Sequence, residues 1–399
     1  MQIIDALHNF LRQSLPTLHA ARLHALMAAV EAGLAGASLS ITALGRALSA
    51  PAFIKHKIKR IDRLVGNSHL RRERIAVYRV MAQCLLKALP LPLILIDWSD
   101  LTPDQGQHLL RASLPVGGRA ITLYEEVHPQ AKLGNRKVQH HFLERLKQVL
   151  PPEIRPIIVA DSGFRTPFFQ AVERLGWHWL GRIRGRDYIA FENQPDRWLP
   201  AKSLYAKATK KPALLGFAHW VRSRPLSGHL VTFYRRPKGR KKLTAQRKEA
   251  KAWRSRKQAK REKEPWLLIV SPSLKAYSLT QIVRYYHSRM QIEEGFRDTK
   301  SPHYGLDLAH ESRIQPERIA TLLLITALVT FALWLVGASL KGSNIERQIR
   351  VNTGNNHSHY SIIFIARIAC QYLQFEFHPS QISRAQERLN RYFATLMEC

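Results

Sequence analysis

The chain has 399 residues, 45% of them hydrophobic and 23% charged, a composition typical of a globular protein with two or three domains rather than a disordered chain. Its 62 Lys and Arg outnumber 29 Asp and Glu, and a net charge of +33 indicates a polyanionic partner: nucleic acid first, an anionic membrane surface second. The three cysteines, Cys84, Cys370 and Cys399, form no Cys-x-x-Cys pair and no zinc-binding spacing, which indicates a reducing compartment.

The first 75 residues are predicted to be helical and basic. After helices at 3–15 and 17–35, a short helix at 42–48 is followed by a second at 52–65, the order of a helix-turn-helix motif. The apolar stripe of the second helix comprises Ile54, Ile58, Ile61 and Leu64. Five cations lie largely off that stripe, and we expect them to contact DNA: Lys55, Lys57, Lys59, Arg60 and Arg63. The alternative is a helical bundle with a solvated basic face.

Beyond the first region the pattern becomes that of an α/β domain. The predicted strands are 91–100, 108–116, 119–128, 156–164 and 178–184, and the predicted helices are 71–88, 135–150 and 167–175. The second and third strands form a hairpin around Gly117 and Gly118. Strand, hairpin, helix, strand, helix, strand is the order of a ribonuclease-H-like layered α/β domain.

That order is interrupted between residues 187 and 264. Short strand-like pieces at 188–191, 214–221 and 229–234 precede a run, 235–263, with 15 Lys and Arg against two Glu. A segment so highly charged does not fold alone. It is either a solvated insert or a phosphate-binding segment. We favour phosphate binding, because membrane-surface binding would require interleaved apolar residues.

The α/β pattern resumes with a strand at 265–271 and a helix at 281–300, and the segment 319–340 then raises the question of a membrane. Its 22 uncharged residues are long and apolar enough for a span. The alternative is a central helix buried on all sides. Basic residues at both ends, and the isolation of a single span in so basic a chain, favour the buried helix. A polar loop (343–359) and helices at 361–374 and 380–397 follow.

Two carboxylates are predicted at the carboxyl ends of buried strands. Asp97 follows the apolar run LILI and Asp161 follows IIVA. Open α/β sheets place their sites at such strand ends, although each Asp could instead cap a helix or form a turn. With Glu293 on the later helix, three convergent carboxylates suggest Mg²⁺ or Mn²⁺, and two such ions about 4 Å apart suit phosphodiester chemistry.

The helix predicted at 281–300 carries a mixed-charge stripe. At about 100° per residue, Tyr286, Arg289, Glu293 and Lys300 lie along one narrow face. A carboxylate flanked by phosphate-binding donors suits metal-assisted chemistry on a phosphodiester. The alternative is a solvated charged face.

These residues resemble a known family. Asp97, Asp161 and Glu293 match the DDE triad of bacterial insertion-sequence transposases. The spacing Tyr286-x2-Arg289-x3-Glu293-x6-Lys300 matches the Tyr-Arg-Glu-Lys signature of the insertion-sequence-four family. The surrounding words LIDWSD, ADSGF, RMQIEEGFRD and KSPHYGL are similar to those of insertion-sequence-ten transposases. The resemblance runs from IKRIDRLVGNSHL at 58–70 to at least Leu308.

The resemblance implies a ribonuclease-H-like catalytic core with a β-rich insertion, a helical N-terminal DNA-binding region and a helical C-terminal region. The corresponding segments are 1–75 (DNA-binding), 76–186 and 265–342 (core), 187–264 (insertion) and 343–399 (C-terminal). It implies a cut-and-paste transposase with two Mg²⁺ or Mn²⁺ ions held by the three acids. The enzyme would act as a homodimer on double-stranded DNA, on terminal inverted repeats and target, in the bacterial cytoplasm.

The resemblance also assigns DNA-contact roles. In that family the Tyr and Arg of the signature grip phosphates near a hairpin intermediate and the Lys contacts end DNA, which points to Tyr286, Arg289 and Lys300. A Trp before the last core strand, here Trp266, receives a base flipped out of the hairpin, because an aromatic face replaces lost stacking. The alternative for Trp266 is a packed core residue. A catalytically inactive, transposase-derived DNA-binding protein stays open as the rival function.

Overall fold

The structure is a computed structural model that describes residues 2–89, 91–102, 104–185, 187–235, 252–253, 263–301, 305–308, 314–349, 360–373, 377–378 and 380–398. The predicted mixed α/β class is confirmed, and the arrangement is consistent with a ribonuclease-H-like core. The chain divides into two compact units. The first comprises residues 1–156 and 288–396, and the second comprises residues 157–287 and 397–399.

The described residues form ten strands and thirteen α-helices. The strands are β1 (Leu93–Asp100), β2 (Gln107–Pro115), β3 (Ala120–Pro129), β4 (Ile157–Ala160), β5 (His178–Ile183), β6 (Tyr188–Phe191), β7 (Leu199–Pro200), β8 (Ala213–Trp220), β9 (Leu226–Phe233) and β10 (Trp266–Val270). The helices are α1 (Gln2–Ser14), α2 (Ala20–Leu34), α3 (Ile41–Ala47), α4 (Ile54–Val65), α5 (Ser68–Leu86), α6 (Arg136–Val149), α7 (Thr166–Arg174), α8 (Leu279–Ser288), α9 (Met290–Lys300), α10 (Pro316–Leu340), α11 (Asn344–Ile349), α12 (Ile362–Tyr372) and α13 (Ser380–Met397).

Helices α3 and α5 of the first unit begin at capping side chains. Ser40 caps α3, its Oγ accepting from the Ala43 amide at 3.1 Å, and Asn67 caps α5 in the same way. Helices α3 and α4 approach closely, since a Cβ at Gly45 would stand 2.5 Å from the Ile58 Cα. The predicted apolar stripe of α4 is wrong at Ile54, which is 57% exposed. Ile54 is the first residue of the helix, ahead of the turns that pack on the unit.

The sheet of the first unit is antiparallel, with the strand order β3-β2-β1. The predicted hairpin between β2 and β3 is confirmed, and its turn contains Gly117 and Gly118 at φ values of 84° and 90°. Only glycine adopts that left-handed region readily. The register sets Asp97 of β1 opposite Arg111 of β2, and Arg111 opposite Glu125 of β3. These three polar side chains therefore share one face of the sheet.

The apolar helix α10 is buried in the first unit. By length and composition it could cross a membrane, with a mean hydropathy of 2.5, but 94% of its apolar window is buried within the chain. It packs against β3, α2 and α12. Glycines allow the close approach: a Cβ at Gly33 would stand 2.7 Å from Val329 Cγ2, and one at Gly337 only 2.1 Å from the Ile362 carbonyl oxygen. The buried-helix alternative is the one observed.

Replacing Gly337 by Ala is expected to destabilise the protein by about 2 kcal/mol, because the new methyl group would collide with backbone that cannot rotate away. Helix propensity alone acts the other way, favouring Ala over Gly by about 1 kcal/mol. Ser339→Ala on the same helix is the control and should change stability by less than about 1 kcal/mol. Thermal unfolding measures both variants. A higher melting temperature for Gly337→Ala would contradict the packing described.

The second unit contains the other seven strands, in the order β4-β5-β10-β9-β8-β6-β7. Strand β4 runs parallel to β5, and the remaining neighbours are antiparallel. Its core is aromatic: the Phe169 ring of α7 lies 5.3 Å from the Trp179 ring and 5.9 Å from the Trp220 ring. A Cβ at Gly181 would stand 2.6 Å from the Phe169 ring, so glycine allows helix α7 to lie close to the sheet.

Three predictions about secondary structure need correction or restriction. The single helix predicted at 281–300 is interrupted at Arg289, between α8 and α9. The polar loop predicted at 343–359 begins with helix α11, since the Glu346 carboxylate accepts from Lys341 Nζ and the Gly342 amide and pins its first turn. The basic run at 235–263 lies outside the described residues apart from positions 235, 252–253 and 263.

Candidate active site

Asp97 is held inside a strand. It is the fifth of the eight residues of β1 and 7% exposed, so its predicted place at the strand end is wrong. The strand continues because residues 98–100 stay paired with β2. One carboxylate oxygen, Oδ1, accepts from the Trp98 amide at 2.8 Å. The other, Oδ2, is directed to Arg289.

Arg289 joins Asp97 to Glu293 in the first unit. Its Nη1 donates to Asp97 Oδ2 at 2.7 Å and lies 3.4 Å from Glu293 Oε1. Asp97 and Arg289 are 192 positions apart in the sequence, whereas Arg289 and Glu293 are one helical turn apart. The Asp97 and Arg289 side chains are 9% and 14% exposed, and that of Glu293 is 48% exposed. A strand acid and a helix acid thus meet at one guanidinium.

Lys300 ends the same helix and is bonded to β1. Its Nζ donates to Ser99 Oγ at 2.7 Å and to the Asp100 carbonyl oxygen at 2.8 Å. Burial lowers the pKa of the Lys300 amine below its usual range, while the nearby carboxylates of Asp100 and Glu293 act in the opposite direction. Three of the four signature residues, Arg289, Glu293 and Lys300, therefore lie along α9 facing β1.

A buried ion pair supports this face of the sheet. Arg111 Nε donates to Glu125 Oε2 at 2.7 Å, and neither side chain is more than 3% exposed. Arg111 also donates to Thr299 Oγ1 on α9 at 3.1 Å. Tyr78 completes the group by donating to Glu125 Oε1 at 3.2 Å. Glu125 is thus linked to α9 through Arg111.

Two other carboxylates on α9 point elsewhere. Asp298 pairs with Arg119 Nε at 2.7 Å, and burial raises the pKa of Asp298 to about 6 despite that guanidinium. Glu294 pairs with Arg297 and lies 3.6 Å from Arg119. Asp298 and Glu294 therefore form an ion-pair cluster of their own, separate from Glu293.

Asp161 belongs to the second unit and follows β4 directly. It is half-buried, and its Oδ1 accepts from the Gly163 amide at 2.6 Å. A Cβ at Gly163 would stand 2.8 Å from that oxygen, so a larger residue there would displace the Asp161 carboxylate. The neighbouring Ser162 accepts from Arg184 Nε at 2.7 Å. The predicted position of Asp161 at a strand end is confirmed.

The second unit also contains the two aromatic candidates. Trp266 begins β10 and is half-buried, and its ring lies edge-on to Tyr286 with centroids 4.9 Å apart. The Arg235 guanidinium lies 6.0 Å from the Trp266 ring centroid. Tyr286 itself is 3% exposed. Trp266 and Tyr286 therefore form one aromatic pair with a cation beside it.

The basic residues of α4 differ in their surroundings. Lys55 is exposed, Lys57 donates to the Leu48 carbonyl oxygen at 2.8 Å, and Lys59 pairs with Asp62 at 2.8 Å. Lys59, Arg60 and Arg63 line a cleft of about 450 Å³ that Arg22 and His56 also border. A cleft with this lining is suited to an anion.

The donor set at Asp97 and Glu293 fits a hard divalent cation. Both carboxylate oxygens approach one nitrogen, so they are at most about 6 Å apart, and Mg²⁺ binds through one or two carboxylates together with water and substrate phosphates. Among the described residues, no three His, Cys, Asp or Glu side chains cluster closely enough to hold a metal ion by themselves. Asp97 and Glu293 would therefore hold such an ion together with water or substrate oxygens.

The comparison with known families identifies the chain. The family model described as a transposase DDE domain matches residues 89–330, more than half of the chain. Among curated proteins, none matches. The matched range includes Asp97, Asp161 and Glu293, and transposases with this domain generally use divalent metal ions. The chain therefore belongs to the transposase DDE domain family and is a DDE transposase.

Proposed function

We propose that this transposase is of the insertion-sequence-four type and carries out cut-and-paste transposition. The observation that carries the proposal is the contact of Arg289 with both Asp97 and Glu293. These residues are an arginine and two acids of the resembled family, and the fold brings them together from distant parts of the sequence. A solvated charged face would not place Asp97, a strand residue that is 7% exposed, in the same cluster.

The proposed catalytic acids are Asp97, Asp161 and Glu293. The contacts in the first unit support Asp97 and Glu293, and the sequence match with its place directly after β4 supports Asp161. Together they would hold Mg²⁺ or Mn²⁺, which when bound supplies Lewis-acid stabilisation to the reacting phosphodiester. In the first unit, the buried Arg111–Glu125 pair would support the sheet face that carries Asp97.

The cationic side chains are proposed to bind DNA phosphates. Arg289 would move its guanidinium from the two carboxylates to a phosphate oxygen, to which a bidentate guanidinium is well matched. Lys300, whose amine is anchored to β1, would offer its remaining donor to end DNA. Tyr286 would contact a phosphate beside the hairpin. The basic cleft of α4 would bind the DNA backbone, through Arg60, Arg63 and their neighbours.

The proposed reaction has four steps. Water attacks a phosphorus at the transposon end, and the broken phosphodiester leaves a free 3′-OH. That hydroxyl attacks the opposite strand, which joins the two strands as a hairpin and releases the flanking DNA. A second water opens the hairpin and regenerates the 3′-OH, which then attacks a phosphorus of target DNA and displaces the 3′ oxygen of the target strand. These steps would take place in a homodimer that holds the two transposon ends, in the bacterial cytoplasm.

The test is cleavage of end-labelled DNA. A duplex carrying the inverted repeat that flanks the reading frame is incubated with the protein and Mg²⁺, and products are resolved under denaturing conditions. We expect a nicked strand first. A hairpin product should follow, which under denaturing conditions is twice as long as one strand of the cleaved end, because its two strands are joined. Cleavage without any hairpin would refute the cut-and-paste route, and no cleavage would leave the inactive DNA-binding alternative.

Replacing Trp266 by Ala is expected to slow hairpin formation by at least about 10-fold, since stacking of an extruded base is worth roughly 1–3 kcal/mol. First-strand nicking should fall less than about 3-fold, because no base leaves the stack at that step. Trp266→Phe is the matched variant and should keep most of the hairpin rate. Time courses of the two products give both rates. Equal losses in both steps would refute the base-stacking role.

A further inference from the structure

The side chain of Gln291 bonds helix α9 to the turn between β2 and β3. Its Oε1 accepts from three successive backbone amides, those of Val116, Gly117 and Gly118, at 3.2, 3.1 and 2.9 Å. Its Nε2 donates to the hydroxyl of Tyr392 on α13 at 2.8 Å. One half-buried amide group therefore connects three elements of the first unit.

The turn is shaped to present its amides to a single acceptor. Gly117 and Gly118 have φ values of 84° and 90°, and successive N–H groups in such turns converge on one point. Tyr392 closes the site from outside, since a Cβ at Gly117 would stand 3.5 Å from its ring. The concavity that elsewhere binds anions is filled here by the side chain of this chain's own helix.

Gln291 is two residues from Arg289 and two from Glu293. Helix α9 begins without a side-chain cap, because Arg289 at its N-cap position is helical (φ −52°, ψ −33°) and makes no capping hydrogen bond. The first turn of α9 is therefore held by Gln291 from the side. Loss of that attachment would free the turn that carries both the guanidinium and the carboxylate facing Asp97.

We infer that Gln291 is a positioning residue for strand cleavage: by binding the β2–β3 turn it fixes α9 so that Glu293 and Arg289 meet Asp97. The inference rests on the proposed function. Catalytic geometry is sensitive to such support, because a misplacement of about 1 Å can cost about 10²-fold in rate. The hydrogen bonds of the Gln291 side chain go to the β2–β3 turn and to Tyr392, so it would act on Asp97 and Glu293 through the position of the helix.

Two substitutions separate the hydrogen bonds from the bulk of the side chain. Gln291→Leu removes the acceptor, and Gln291→Glu keeps it and can still bond Tyr392, whose hydroxyl then donates. Leu and Glu have similar helix propensities to Gln, so the helix itself is preserved. Tyr392→Phe removes only the outer partner. Each variant is assayed as the full chain on the inverted-repeat duplex, with DNA affinity and thermal unfolding measured in parallel.

At saturating DNA, the single-turnover nicking rate of Gln291→Leu is expected to fall by at least about 10-fold, and that of Gln291→Glu to stay within about 3-fold of wild type. Tyr392→Phe should lose less than Gln291→Leu. DNA affinity should change by less than about 2-fold in all three, because most of the proposed DNA-binding residues lie outside helix α9. Rescue by Glu is the readout that a purely space-filling role would not produce.

Nicking by Gln291→Leu at the wild-type rate would overturn the inference, and so would equal losses in the Leu and Glu variants. If Gln291→Leu does not fold, the separate variants Gln291→Glu and Tyr392→Phe decide. A loss of 10-fold or more in Gln291→Glu, about the size that misplacement produces, overturns the inference, because that variant keeps the acceptor. Failure of wild type to nick any duplex would instead refute the proposed function, and the inference with it.

Discussion

Asp97→Asn, Asp161→Asn and Glu293→Gln are each expected to lower strand cleavage by at least about 10³-fold. An amide is neutral, and an NH2 group, which only donates, replaces one of the two carboxylate oxygens. It therefore neither balances the charge of a divalent cation nor accepts from Arg289 in the same way. Binding of end DNA should persist, because DNA affinity depends on cations elsewhere in the chain. Cleavage gels and gel-shift titrations on the same duplex measure the two effects.

Glu294→Gln provides the matched control for Glu293→Gln. It is the adjacent carboxylate on the same helix, yet its partners are Arg297 and Arg119 rather than Arg289. Its cleavage rate should stay within about 3-fold of wild type. Full cleavage by any of the three acid variants would remove that residue from the site. Equal losses in Glu294→Gln and Glu293→Gln would mean that the helix, and not a particular carboxylate, is what the substitutions disturb.

The second large effect is expected at Arg289. Replacing it by Gln should tighten Mn²⁺ binding about 10-fold, because a guanidinium 2.7 Å from Asp97 Oδ2 repels an incoming cation and must give up its ion pair to it. Cleavage should nevertheless fall by at least about 10²-fold, since the same guanidinium is proposed to bind the substrate phosphate. Opposite changes in metal affinity and rate would mark Arg289 as the resident counter-ion of the two acids.

Titration of Mn²⁺ by electron paramagnetic resonance, on the DNA-free protein, measures the affinity. Arg289→Lys is the control: it keeps the positive charge but places it on a more flexible and more strongly hydrated ammonium, so its Mn²⁺ affinity should lie between those of wild type and Arg289→Gln. Weaker Mn²⁺ binding in Arg289→Gln would show that the guanidinium helps to assemble the carboxylates and does not compete with the cation.

Local patterns predicted most elements of this chain. Hydrophobic period marked the helices that became α4 and α6, and the Gly-Gly pair marked the hairpin of β2 and β3. Such signals depend on neighbours within one or two turns, which the sequence contains in full. They fail where a distant partner decides. The strand predicted at 91–100 ends where β1 ends, but Asp97 was assigned to the strand end because the apolar run LILI stops there, whereas the pairing of residues 98–100 with β2 makes it an internal strand residue.

For the long apolar helix α10, the sequence pattern does not distinguish a membrane span from a buried core helix. Its sequence meets the requirements of a membrane span and of a central core helix equally, because both environments exclude water. The choice was made by its neighbours: β3, α2 and α12 cover it, and glycines on α2 and on the helix itself permit the approach. Packing partners, and not hydropathy, distinguish the two.

The sequence by itself determined which chemistry is available: an excess of cations, two strand acids, and a helix bearing Arg289, Glu293 and Lys300 at fixed spacing. Only the tertiary structure decided which groups meet. It joined Arg289 to Asp97 across 192 positions, tied Gln291 to a turn 173 to 175 positions away, and set Arg111 behind α9. The physical reason is that spacing along a helix is a local property, whereas such contacts exist only after the sheet and helices have packed.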